Sequence, residues 1–128
     1  MTWEPVEDEL RRLQALPAAD RAVQLVQLAV DWEELWGLMD DHGWVVAKAT
    51  DALPLWPHPE LARACAQGPW EGAEPAAIPL DELLEDLLPQ LESEKLGTAL
   101  FPVTDDPGLL LAAAELRRRL EAELELGA

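Results

Sequence analysis

The chain has no tyrosine and no asparagine, and it holds one cysteine, one phenylalanine, one isoleucine and one serine among 128 residues. A lone cysteine excludes an internal disulfide, so this is not a disulfide-framed domain. The only serine, Ser93, sits in an acidic helix end, which leaves a serine triad without a nucleophile. Positive charge is scarce: 9 basic residues face 26 acidic ones, for a net charge of −17. A body this negative repels phosphate backbones and argues against nucleic-acid partners. No apolar run reaches the roughly 18 residues of a membrane span. The first ten residues, MTWEPVEDEL, are acidic and lack the apolar core of a signal peptide. Gly37, Gly43, Gly68 and Gly72 stand alone, so there is no phosphate-cradling loop. These absences predict a cytoplasmic protein, with residues 1–128 as one domain large enough to need neither metal nor disulfide.

Apolar periodicity supplies the architecture. Trp3, Val6, Leu10 and Leu13 recur at helical spacing, and Pro17 ends that first helix. A second helix, Ala18 to Asp31, carries Ala22, Leu25, Val26 and Ala29 on a wide face. The period then drops to two. ELWGLMDDHGWVVAKA reads as two strands around Asp40-Asp41-His42-Gly43, with Trp36 and Leu38 on one face and Trp44 and Val46 sharing a face of the next. Leu53 to Trp56 is a third short strand. Proline follows Trp56 and favours extended geometry there.

In WPHPELARACAQG, His58 is placed to cap a helix whose first position is Pro59, with Gly68 at its end. PWEGAEPAA reads as a loop. Leu80, Leu83, Leu84, Leu87, Leu88 and Leu91 then mark the clearest helix, which Pro89 is expected to end or kink. LGTALFPV is a strand, TDDPG a turn and LLLA a further strand. A last helix, Ala113 to Leu126, has Ala113, Leu116, Leu120 and Leu124 inside. The predicted class is α+β: a small, mainly antiparallel sheet of four to five short strands with helices packed on one side.

LWGLMDDHGWVVA, LPLWPHPELARACA and WEGAEPAAIPLDELLEDLLPQLESEKLGTALFPV together resemble the bacterial family called domain of unknown function 2750. The resemblance covers Leu35 to Glu121 and leaves the N-terminal helix, residues 1–17, outside. It implies a small bacterial cytosolic protein and carries over no catalytic residue.

Candidate chemistry is thin. His58 and Cys65 lie about two helical turns apart, but two ligands do not hold a metal, so no metal or other cofactor is expected. Cys65 lies on an apolar stripe, the wrong setting for an activated thiol. Asp40/Asp41 and Asp105/Asp106 occupy ordinary turns, and would chelate a cation only if the two turns met. Six tryptophans against one phenylalanine are the strongest anomaly. Trp44, Trp56, His58 and Trp70 are therefore the candidate binding surface, an aromatic rim of the kind enriched at interaction hot spots.

The leading expectation is a non-enzymatic acidic interaction module, immunity-like against a basic protein partner or self-associating as a homodimer. The alternative is a small hydrolase or ligand-binding enzyme using carboxylates beside a tryptophan-lined pocket. A concave pocket of tryptophan and acid favours the enzyme; a flat or convex patch favours the module.

Overall fold

The computed structural model describes residues 4–127. In chain order these form α1 (Glu7–Gln14), α2 (Ala18–Trp32), β1 (Glu34–Asp40), β2 (Gly43–Trp44), β3 (Ala52–Leu55), α3 (Pro59–Ala64), a 3-10 turn (Gly68–Trp70) and β4 (Glu74–Pro79). They continue with α4 (residues 80–93), β5 (Gly97–Leu100), β6 (Leu109–Ala112) and α5 (Ala113–Gly127). The class is α+β and the pairing mostly antiparallel, as the periodicity predicts. The strands divide into two sheets of three, ordered β2-β1-β4 and β3-β5-β6, with β3 and β5 parallel. Trp36 and Trp56 join the sheets by two backbone hydrogen bonds, 2.7 and 2.8 Å long. Trp3 lies outside the described residues. No helix among the described residues is long and apolar enough to cross a membrane.

Period-two alternation sorts the core into two clusters on opposite faces. Leu35, Leu53, Leu55 and Leu100 face the larger cluster, which α2, α4 and α5 cover with Leu25, Leu83, Leu88 and Leu116. Leu38, Val45, Trp56 and Phe101 turn the other way and pack with Leu13 of α1 and Leu61 of α3. Each fully buried leucine contributes on the order of 2 kcal/mol.

Proline bears on two of the differences from the expected elements. Residues 74–77, expected as the end of a loop, form β4 together with Ile78 and Pro79 and pair with β1 from Glu34↔Pro79 to Met39↔Glu74. Pro75 and Pro79 are tolerated because β4 is an edge strand and both nitrogens, of like parity, point away from β1. Pro89 does not end α4, which runs on to Ser93. A π turn over Leu83–Leu87, closed by the Leu88 N–H to the Leu83 carbonyl, widens the helix just ahead of the ring. The α3 helix is shorter than expected and stops at Ala64. Leu124, expected inside, is 38% exposed.

The expected strand 96–103 stops at Leu100 because Phe101 is left-handed, at φ 55°. For a bulky residue that conformation costs about 1–2 kcal/mol. It holds because the surroundings fix both sides of the residue. The Phe101 N–H donates to the Leu55 carbonyl at 2.8 Å, and its own carbonyl accepts from Arg21 Nε at 2.9 Å. Arg21 is 3% exposed. Its Nη1 donates to the Leu16 carbonyl at 2.7 Å, its Nη2 lies 3.3 Å from Asp106 Oδ1, and its guanidinium sits 5.9 Å from the Phe101 ring centre. A buried guanidinium persists only when so compensated. Arg21→Met leaves two inward carbonyls and Asp106 without their partner. It is expected to lower unfolding free energy by about 3 kcal/mol, measured by urea denaturation.

Candidate functional site

Two stretches of main chain enclose a groove of about 880 Å³. One wall is residues 44–49, leading out of the β1–β2 hairpin; the other is residues 102–107, between β5 and β6. The C-terminal end of α3 and the 3-10 turn close the third side with Cys65, Gln67 and Trp70.

Local chemistry shapes each wall. At the hairpin, Asp40 Oδ1 accepts the His42 N–H at 2.8 Å and Gly43 takes φ 111°, a conformation suited to glycine. The second wall leaves the sheet at Phe101 and is pinned from beneath. Trp56 Nε1 donates to the Pro102 carbonyl at 2.9 Å, and Cys65 Sγ meets the same oxygen at 3.4 Å. Val103 and Asp106 exchange backbone bonds of 3.0 and 3.1 Å, and Asp106 Oδ1 accepts the Gly108 N–H at 2.8 Å. Gly108 admits no side chain, since a Cβ there would lie 2.5 Å from the Leu100 carbonyl oxygen.

The four aromatic-rim residues part company. Trp44 and Trp70 line the groove, both half-buried. Trp56 is wholly buried and gives a ligand no contact area; it supports the site from below, edge-on to Trp70 at 6.2 Å between ring centres. His58 is not part of the lining; it caps α3, with Nδ1 accepting the Glu60 N–H at 3.1 Å. From the two turns, Asp40, Asp105 and Asp106 border the same groove, and Asp41 is not part of its lining. Among the described residues, however, no three His, Cys, Asp or Glu side chains gather so as to hold a metal ion. Among the described residues, Lys48 is the one lysine or arginine in the lining.

Sequence reasoning missed the walls themselves. Residues 45–49 and 102–107 are mostly Val, Ala, Pro and Thr, which carry no motif. It also missed Arg21, although that residue stands four positions before Leu25 on the inner stripe of α2.

A family model described as protein of unknown function (DUF2750) matches residues 22–120. The chain belongs to the DUF2750 family. No curated protein and no solved structure matches it. The DUF2750 region takes in both groove walls and the floor and leaves α1 outside.

Cys65 sits partly buried beneath the groove. Burial pushes its thiol up, while the neighbouring Trp56 indole and Arg21 guanidinium pull weakly the other way. The neutral thiol is thus the favoured form, which suits a structural contact and not a nucleophile. The folded state holds this proton more tightly than the unfolded chain. Its stability contribution is therefore intact below the ordinary thiol pKa of about 8.5 and declines as pH rises through the raised value. Urea midpoints across the alkaline range are expected to fall more steeply for the natural chain than for Cys65→Ala.

Proposed function

We propose that this DUF2750 protein is a binding module whose groove receives a cationic segment of a partner protein. The observation that carries the reading is an apolar groove with Trp44 and Trp70 in its lining, bordered by Asp40, Asp105 and Asp106, in a chain of net charge −17. Tryptophan supplies contact area at little entropic cost, and its ring face attracts Lys and Arg side chains. The carboxylates supply complementarity, and the overall field speeds the approach of a basic body.

Concavity by itself also suits the enzyme alternative. Two observations favour binding. Asp40 and Asp106 already accept hydrogen bonds that build their turns, and Asp40 and Asp105 stand exposed. The floor thiol is held neutral. Like charge makes a second copy a poorer occupant than a basic partner. A basic toxin neutralised by an immunity-type protein is one concrete form of this function.

The test uses capped arginine-rich peptides, with tryptophan fluorescence as the readout. Raising ionic strength from about 0.05 M to about 0.5 M is expected to weaken binding roughly tenfold, as screening shortens the reach of the field. Asp105→Lys is expected to weaken binding at least fivefold, and Lys48→Glu to strengthen it about threefold. Affinity indifferent to salt and to both substitutions would contradict the proposal.

A further inference from the structure

The groove is walled by consecutive residues. Alternate side chains of an extended segment point to opposite faces, so a wall built from a sheet face shows every second residue. Here all four of residues 44–47 line the groove, ahead of the turn that the Thr50 N–H closes on the Ala47 carbonyl. Trp44 packs towards the larger core cluster and Val45 towards the smaller one, yet both border the same space. That combination arises where the boundary is the edge of the chain, with its N–H and C=O groups, and not a face.

Hydrogen-bond parity says which groups point outward. Gly43 pairs with Asp40, and the Val45 N–H donates to the Leu38 carbonyl at 2.8 Å. Gly43 and Val45 therefore turn their backbone towards β1, and Trp44 and Val46 turn theirs away. Outside the β1 ladder, neither Trp44 nor Val46 has a backbone partner among the described residues. Trp44 ends the edge strand β2 and Val46 lies two residues beyond it, so two outward residues of one parity at the edge of the sheet form a template for a further strand.

We infer that the occupant of the groove binds as an added β-strand, pairing its main chain with Trp44 and Val46, and that it carries Arg or Lys at alternate positions. This rests on the groove being a site for cationic segments and specifies how such a segment is held. The added strand has two faces of different chemistry. One lies on the side of the smaller cluster, where Cys65, Trp70 and Asp40, which shares the face of Leu38, border the groove, and takes the cations; the other lies on the side of Trp44 and Val46 and takes small apolar side chains. Hydrogen bonds to the edge hold the occupant without regard to sequence, and alternation of charge selects it.

The probe is a capped hexapeptide of alternating Arg and Val, tested against the full chain beside two N-methylated versions. One is methylated at the three Arg amides and the other at the three Val amides. A sheet edge receives N–H groups of one parity only. One version is therefore expected to bind at least tenfold more weakly than the parent and the other within about twofold. In the complex with the parent peptide, exchange of the Trp44 and Val46 amides is expected to slow at least tenfold. If both methylated peptides bind like the parent, or both lose equally, pairing along one edge is overturned while a cationic groove stands. If the parent peptide binds but those two amides exchange unchanged, the added strand is likewise overturned. If the parent does not bind, both readings fall.

Discussion

The architecture around the groove depends on one buried cation. Arg21 enters the interior from α2 and holds the point at which β5 leaves the sheet, through the Phe101 carbonyl, the Phe101 ring and Asp106. Without that anchor, a bulky residue at φ 55° has little reason to stay left-handed. Phe101 in turn sends residues 102–107 over the smaller core cluster instead of extending β5, and that detour is one wall of the site. A guanidinium suits the post because its planar fork serves several acceptors at once, which a lysine ammonium does with less geometric control.

Tryptophans divide into two kinds of work. Trp56 is entirely buried, yet its indole N–H finds the Pro102 carbonyl and its backbone joins the two sheets through Trp36. It is a structural keystone beneath the groove. Trp44 and Trp70 remain half-buried and border the space above. The abundance of this residue thus reflects both core and surface demands, and the surface share is what a cationic partner would meet.

Local signals were legible in the residues and non-local ones were not. Helical spacing located α2 and α4, and the Asp-Asp-His-Gly turn located the β1–β2 hairpin. Proline after His58 marked the capped start of α3. Each of these is decided within a few residues. The edge strand β4 was hidden because its two prolines read as loop until a neighbour defines which nitrogens face outward. The groove was hidden because its walls are some sixty residues apart in the chain and meet through β3, by the Ala47–Ala52 bridge on one side and the parallel pairing with β5 on the other. Arg21 was hidden for a different reason: its charge reads as surface, and only the carbonyls waiting inside make its burial favourable.

That Arg21 holds the 101–108 segment in place is the claim on which the groove rests. Native-state hydrogen exchange tests it most directly, by comparing Arg21→Met with the natural chain at the amides of Phe101, Val103, Asp106 and Gly108. These four are expected to lose much more protection than Leu25 or Val26 in the middle of α2. A uniform loss across the molecule, no larger at 101–108 than elsewhere, would contradict it.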